Sequence, residues 1–411
     1  MKILLSAFGC VPNSGSEGGV GWRWAIELCR AHEVVMVTDV TRRGAIEDEL
    51  EQNPQPNLRV VYFRPWWLCS IPLNSTTAQL LYSAWQFALL PFARNLHRSQ
   101  HFDLAMHLTY GVFRHPSFLG YLGIPFIFGP LGGGEDAPLK LKRSILGREK
   151  LKEYLRTLIN KVVLLDPFLW VAYAKATLIL VKTEDTRQAL PWPFRKRAIV
   201  YAEIGIDPIR GIIPTVRQGD EPLRVLFVGR LLGWKGAHLA IRAVAEALSR
   251  GVAIDFTLVG RGPYEDELKR VAKVVGILDR IHWVSYIPQK ELFPLYRQMH
   301  CFLFPSLHDS SGNVVLEAQA NGLPVICLDI GGPVTLVSDE TAIIVPTQGL
   351  DEVELVNLLA DALGQMAANE GRRNLMCQRA LASVDETMTW EGRVKGVFQL
   401  LENKGVTSGT I

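Results

Sequence analysis

Pro305-Ser306-Leu307-His308-Asp309-Ser310-Ser311-Gly312-Asn313-Val314-Val315-Leu316-Glu317-Ala318-Gln319-Ala320-Asn321-Gly322-Leu323-Pro324 is the stretch around which the chain is organised. The apolar run Cys301 to Phe304 before it reads as a strand that ends in a polar, glycine-bearing loop. A helix then opens near Gly312 and closes at Asn321-Gly322, a left-handed stop with Pro324 beyond it. The first turn of such a helix points free backbone N–H groups out of its end, where partial positive charge binds phosphate. Asp309 lies in the loop and Glu317 on the helix, so two acids bracket one N-terminus. That arrangement suits a ligand carrying both phosphate and hydroxyl groups.

The rest of the chain has room for such a site. Its 411 residues allow two domains of ordinary size, each burying its own core. Apolar residues make up 48% and charged residues 21%, a balance that excludes a disordered chain. A net charge of +3 is too mild to point to nucleic acid. The cysteines (Cys10, Cys29, Cys69, Cys301, Cys327, Cys377) form no C-x-x-C pair. They read as thiols of a reducing compartment rather than a disulfide framework or a zinc site. Met1 to Ala7 is too short an apolar run for a signal peptide and reads as a first strand. Pro65 to Ala93 carries no charge, but Pro72, Asn74, Ser75, Thr76 and Thr77 interrupt it. About 14 apolar-rich residues remain, short of a membrane span. The expected location is cytoplasmic.

Strands and helices alternate in both halves, the pattern of a parallel α/β sheet, and such sheets bind ligands at the carboxyl ends of their strands. Strand Ile3–Phe8 leads into the glycine loop Gly15–Gly21, a helix over 22–31 and strand His32–Thr38. Gly18 and Gly19 allow close backbone approach to a ligand; a turn glycine is the plain alternative, but four glycines in seven residues favour a site. After strand Leu58–Phe63, residues 65–97 surround a helix (77–96) with Trp66, Trp67, Tyr82, Trp85, Phe87 and Phe92. They form either a helical hairpin packed on the sheet or an interfacial, lipid-facing surface. His107 ends the next strand, where imidazole is a natural polar contact, and His115 on the following loop is its rival for an acceptor.

Ile124 to Phe128 runs into a triple-glycine loop with Glu135 and Asp136, which are either solvated acids of a turn or acceptors for a hydroxyl. The basic stretch Lys140, Lys142, Arg143, Arg148, Lys150, Lys152, Arg156 is either a solvated helix face or a contact for anionic lipid or a pyrophosphate-lipid. Ala174–Val181 is the last strand of this half.

The Pro/Gly/Arg-rich segment Asp207–Pro222 is the clearest break in composition. Beyond it come strand Leu223–Val228, the loop Gly229-Arg230-Leu231-Leu232-Gly233-Trp234-Lys235-Gly236 and a helix over 237–250. Two cations on a glycine loop before a helix suit an anion, although the loop is no Walker P-loop. Strand Ile254–Val259 ends at Gly260-Arg261-Gly262 before a helix over 265–275, and a strand-like run reaches Ile287. Strand Val325–Leu328 ends at Gly331-Gly332-Pro333, and a last helix covers 388–402.

Asp309, Gly312, Glu317, Gly322 and Pro324 together resemble the acid-x7-acid motif of the retaining family-4 glycosyltransferases, also called glycosyl transferases group 1. The first acid is usually Glu there; Asp309 is one methylene shorter. Ala318-x-Ala320-x-Gly322-Leu323-Pro324-Val325-Ile326 and Gly229-Arg230-Leu231…Lys235-Gly236 are similar to further motifs of that family, and Thr335 stands where an acid is common. The resemblance implies a GT-B fold, two Rossmann-like α/β domains facing each other across a cleft. Residues 1–205 would form an acceptor domain and 206–385 a donor domain, with a helix in 386–403 crossing back to the first.

It also implies a retaining, metal-independent hexosyl transfer from a nucleotide-diphosphate sugar to an acceptor hydroxyl. Arg230 and Lys235, with the amides of Asn313, Val314 and Val315, would neutralise the leaving diphosphate. Glu317 would hold the ribose, Asp309 the sugar hydroxyls, and His107 the sugar from the first domain. Gly18, Gly19, Gly229, Arg261, Ile287 and Gly312 would line the donor; His115, Glu135 and Asp136 would meet the acceptor. No cofactor or metal is expected. The partners would be the donor sugar, a glycan or lipid-linked acceptor of polysaccharide, glycolipid or cell-envelope assembly, and peripherally the inner face of a membrane. Two other readings stand beside it: an epimerase or hydrolase of the same fold, and a non-catalytic nucleotide-sugar-binding protein.

Overall fold

The computed structural model describes residues 1–15, 17–74, 77–143, 145, 147–209, 211–212, 221–384 and 386–406, without the side chains of 147–150, 152, 290 and 386. Of the segments singled out above, Ser16, Ser75, Thr76, most of the 207–222 break and the side chains of Arg148, Lys150 and Lys152 lie outside them.

Val34–Val37 and Leu226–Val228 are apolar at successive positions, so both strand faces must be covered, which is the condition of a parallel sheet between helices. The chain folds into two compact units. The first comprises Met1–Gly134, Ile159–Gly205 and the chain from Trp390; the second comprises Glu135–Leu158 and Ile206–Thr389.

Among the described residues the first unit holds seven strands: β1 (Lys2–Ser6), β2 (Glu33–Thr38), β3 (Leu58–Tyr62), β4 (Leu104–His107), β5 (Phe126–Leu131), β6 (Leu178–Val181) and β7 (Ala198–Val200). They pair in the order β3-β2-β1-β4-β5-β6-β7, all parallel. The second unit holds six: β8 (Leu223–Val228), β9 (Ile254–Val259), β10 (Ile281–Val284), β11 (Cys301–Phe304), β12 (Val325–Leu328) and β13 (Ala342–Val345). Their order is β10-β9-β8-β11-β12-β13, again parallel. In each sheet the order reverses next to the first strand, between β1 and β4 and between β8 and β11. Loops leaving those neighbours diverge, which opens a crevice at their carboxyl ends.

The last helix, Trp390–Glu402, packs on the Glu17–Cys29 helix of the first unit. Tyr201 Oη donates to the Arg393 carbonyl at 2.5 Å, and Arg393 Nε donates to the Ile204 carbonyl at 2.9 Å.

Three expectations are corrected. The segment Glu135–Leu158, expected within 1–205, belongs with the second unit. The cause is its contact with that unit: Glu153 Oε2 lies 3.4 Å from His308 Nδ1, and Ile145 lies against Gly233. The glycine loop Gly15–Gly21 is largely helix, since the first helix starts at Glu17. A Cβ at Gly19 would lie 1.7 Å from the Ser14 carbonyl oxygen, so that glycine permits close packing of the chain on itself. Among the described residues of 65–97 there is no hairpin: one helix, Ala78–Gln100, follows one short turn at Trp66–Leu68. It buries Leu81, Tyr82, Trp85, Gln86, Leu89 and Ala93, one face at helical spacing, and leaves Leu80 and Trp66 exposed.

Candidate functional site

In the second unit, β8 feeds the loop Gly229–Gly236 and its neighbour β11 feeds Pro305–Gly312, and the two loops are fastened together. The Leu307 N–H donates to the Trp234 carbonyl at 2.8 Å. Gly236 takes φ +76°, and a Cβ there would sit 1.9 Å from the Pro305 carbonyl oxygen, so glycine alone lets the loops meet. This brings Lys235 Nζ to 2.5 Å from Asp309 Oδ2, with both side chains largely buried. Burial pushes the Asp309 carboxyl up, but the Lys235 ammonium and the amides of Ser311 and Gly312 outweigh it and hold it below the usual carboxylate range. The Gly332 N–H donates to the Asp309 carbonyl at 2.5 Å, tying in the loop after β12.

Gly312, at φ +71°, starts the Asn313–Ala320 helix, and Gly322, at φ +72°, follows its end. Of the three amides expected at the helix mouth, one is corrected: the Val315 N–H donates to the Gly312 carbonyl at 2.8 Å, and its side chain is buried. The tight first turn causes this, leaving Asn313 and Val314 at the helix end. Glu317 accepts from Gln289 Nε2 at 2.7 Å and Tyr296 Oη at 3.2 Å. Burial raises its pKa to about 6, against those two hydrogen bonds, which lower it. Neither partner was visible in the sequence, because both come from the Gln289–Gln298 helix, whose register against Glu317 is a tertiary matter.

Arg230 is exposed, and its side chain has no partner among the described residues. Gly229 donates to the Val259 carbonyl, and a Cβ at Gly260 would lie 1.9 Å from the Gly229 carbonyl oxygen. Arg261 is exposed with its guanidinium 4.9 Å from the Tyr286 ring centroid, next to half-buried Ile287. The site thus offers a cation paired with a carboxylate, a helix N-terminus, and a half-buried acid whose pKa is raised. Those groups can take up a ligand anion and hydroxyls.

The first unit treats its polar residues differently. His107 pairs in register with Ser6 at the sheet reversal, as the sequence led one to expect, but its side chain is only 1% exposed. Its Nε2 lies 2.8 Å from Tyr82 Oη and its Nδ1 3.5 Å from Gln86 Nε2. Burial, then the neighbouring His115, lowers its pKa to about 3. The expected polar contact at a strand mouth is corrected to a neutral imidazole inside the core, because the Ala78–Gln100 helix covers that strand end. His115 is engaged by the same helix, at 2.9 Å from Ser83 Oγ and 2.7 Å from Gln79 Oε1. Burial, with Arg114, brings its pKa to about 4. Gln79, Tyr82, Ser83 and Gln86 stand three, four and seven apart on that helix, a spacing that could have disclosed one polar stripe. Gly18 borders Val11, and the Gly111 N–H donates to Glu17 Oε1 at 3.2 Å.

Glu135 and Asp136 are not solvated turn acids. Glu135 is 1% exposed, and Asp136 is bound by Lys142, by Arg156 at 3.1 Å and by Thr157 Oγ1 at 2.7 Å. Two cations of the basic stretch are therefore committed inside the second unit, while Lys140 and Arg143 are exposed. Among the described residues no group of three or more His, Cys, Asp or Glu side chains could hold a metal ion.

Residues 222–369 match the family model described as Glycosyl transferases group 1. The chain is similar to that family over those residues, and the fold class is GT-B. Among curated relatives, the D-inositol 3-phosphate glycosyltransferase of Nocardia farcinica is 32% identical over 212 residues, 49% of this chain and 43% of the relative. The match spans less than half the length of that relative. Among solved structures, sucrose-phosphate synthase from Thermosynechococcus elongatus superposes with a TM-score of 0.62 at 18% identity, covering 99% of this chain and 100% of the other. The Anabaena protein Alr3699/HepE in complex with UDP-glucose gives a TM-score of 0.60 at 16% identity, covering 98% and 100%.

Proposed function

We propose that the protein transfers a sugar from a nucleotide-diphosphate donor to an acceptor hydroxyl, with retention at the anomeric carbon. The observation that carries this reading is the Lys235–Asp309 pair beside the mouth of the Asn313–Ala320 helix, with Glu317 half-buried farther along it. Breaking the anomeric C–O bond places negative charge on the β-phosphate. A preorganised cation and helix amides at the departing oxygen lower that barrier, usually the largest catalytic contribution. When the diphosphate arrives, the Lys235 ammonium turns from Asp309 to the phosphate, and Asp309 becomes free to accept from the sugar hydroxyls. Arg230, exposed and unpaired, adds the second positive charge, and Glu317 accepts from the ribose. The departing diphosphate takes the proton of the acceptor hydroxyl. These side-chain cations do the work that a metal ion would do, so chelation by EDTA should leave turnover within about twofold.

A screen of UDP-, GDP- and ADP-sugars by thermal shift tests the donor class, since a ligand at about 100 Kd adds about 2.7 kcal/mol of stability. Absence of a shift with any of them would sink the reading. With the binding donor in hand, product analysis separates transfer from release of free sugar or epimer, and from binding without turnover.

The same reading seats the protein on anionic lipid at the cytoplasmic face, where a lipid-linked acceptor would be met. Leu151, Tyr154, Leu155 and Leu158 stand exposed at helical spacing on the Gly147–Val162 helix, and Lys140 and Arg143 are exposed on the segment leading into it. Co-sedimentation with vesicles containing phosphatidylglycerol, lost in Leu151→Gln/Leu155→Gln, is the expected result. Equal pelleting of that variant would remove the lipid contact.

A further inference from the structure

His308 and Trp234 have no part in the transfer chemistry, yet each immediately precedes a residue that does. Their rings stack face to face, with centroids 4.1 Å apart and planes 20° from parallel. The Lys235 ammonium lies 4.7 Å from the Trp234 ring centroid on its way to Asp309. The Trp234 carbonyl accepts from the Leu307 amide at 2.8 Å and from Ser306 Oγ at 3.4 Å, so the two loops are stitched at this one residue.

The outer side of His308 faces the segment Glu135–Leu158. His308 Nδ1 lies 3.4 Å from Glu153 Oε2. That carboxylate is itself fixed by Lys142 Nζ at 3.1 Å and Arg156 at 3.3 Å, all three being largely buried. Lys142 and Arg156 both reach Asp136, which Thr157 holds as well. A cluster this well compensated is rigid, because moving any member exposes an unpaired buried charge. It backs the loop that carries His308 and Asp309, and the stacked pair is what it supports.

We propose that His308, set between Glu153 and the Trp234 ring, is a positioning residue that holds the Lys235 ammonium at the Asp309 carboxylate until a diphosphate takes that carboxylate's place. The imidazole supplies a flat face for Trp234 and a polar edge for Glu153. Trp234 then sets the direction in which the following residue leaves the loop. The segment 135–158 thus serves the diphosphate site from behind, without touching the ligand. The functional consequence rests on the transferase reading, but the geometric one does not.

Two variants separate the parts of the device. His308→Phe keeps the stack and loses the edge; His308→Ala loses both. In crystals of His308→Ala, the Lys235–Asp309 contact should open beyond about 4 Å, the limit of an ion pair. In His308→Phe it should persist. With the donor found above, His308→Ala should lose about tenfold in kcat while the donor KM changes by less than about threefold. A misplaced group costs orientation at the reacting centre more than ground-state binding. His308→Phe should recover kcat to within about threefold of the parent.

An intact Lys235–Asp309 contact in His308→Ala overturns the proposal, whatever the kinetics. So do equal kcat losses in the two variants, because the stacked face would then be irrelevant. If the contact opens as expected while the parent protein binds no nucleotide sugar, the positioning stands and the transferase reading falls.

Discussion

Both sheets reverse their strand order beside the first strand, and both place a functional-looking residue at the reversal. The two sites come out opposite. At β8/β11 the polar groups are bound to one another by an ion pair, Lys235 to Asp309, and by hydrogen bonds, Glu317 from Gln289 and Tyr296. At β1/β4 the imidazole of His107 is sealed among Tyr82, Gln86 and Phe128, neutral and satisfied at both nitrogens. The difference lies in what covers the strand ends. A long helix, Ala78–Gln100, lies over the first; at the second, the loops after β8 and β11 meet the mouth of an eight-residue helix, with Ile145 and Glu153 of the segment Glu135–Leu158 behind them. Topology offers a crevice in both sheets, and the local cover decides whether it becomes a site or core.

The sharpest way to break this contrast is Lys235→Ala. Turnover should drop by about 10²-fold or more while thermal unfolding stays cooperative, as measured by donor kinetics and calorimetry. Near-parent turnover would show that the exchangeable pair is ornamental. His107→Leu should do the reverse: a loss of roughly 2 kcal/mol in stability from the stranded Tyr82 hydroxyl and Gln86 amide, with donor KM little changed. Chemical denaturation gives the first and kinetics the second; a large KM effect with intact stability would place His107 in contact with the sugar.

Acid titration sharpens the same contrast. His107 stays neutral in the fold down to about pH 3, while an unfolded histidine takes up its proton near 6.5. The fold therefore loses stability as pH falls from about 6.5 towards 3, by about 1.4 kcal/mol per unit for this group. His107→Leu should make that limb shallower by that amount, with His115, lowered to about 4, still contributing between about pH 6.5 and 4. Glu317 works in the opposite sense. Its folded pKa of about 6 exceeds the unfolded value, so its ionisation costs stability as pH rises from about 4.5 through 6. Glu317→Gln should then be more stable than the parent at pH 7 by up to about 2 kcal/mol, and equal to it below about pH 4.5. Arg230→Ala is the smallest expected change in stability, within about 0.5 kcal/mol, since an exposed unpaired guanidinium supports nothing in the fold.

Much of the second unit was legible in the chain. Strands Leu223–Val228, Ile254–Val259, Cys301–Phe304 and Val325–Leu328 have the bounds that their apolar runs suggested, and Gly312 and Gly322 bracket the helix between them. The first unit was read less well, because its glycines and aromatics carried two meanings. Gly19 looked like a ligand loop and is a packing contact; around the expected helix over 77–96 the aromatics allowed a helical hairpin or an interfacial surface, and the described residues hold that helix with a turn before it.

By itself the sequence determined the alternation of parallel strands and helices, the glycines that end them, and the acid and basic residues of the loops after β8 and β11. These are written in neighbours a few positions apart, where apolar runs and turn chemistry act. Only the tertiary structure decided that Lys235 pairs with Asp309, 74 positions away, that Tyr82 closes over His107, and that Glu135–Leu158 serves the second unit. Whether a buried charge or imidazole is stable depends on which partner reaches it, and that partner is chosen by the packing of distant elements.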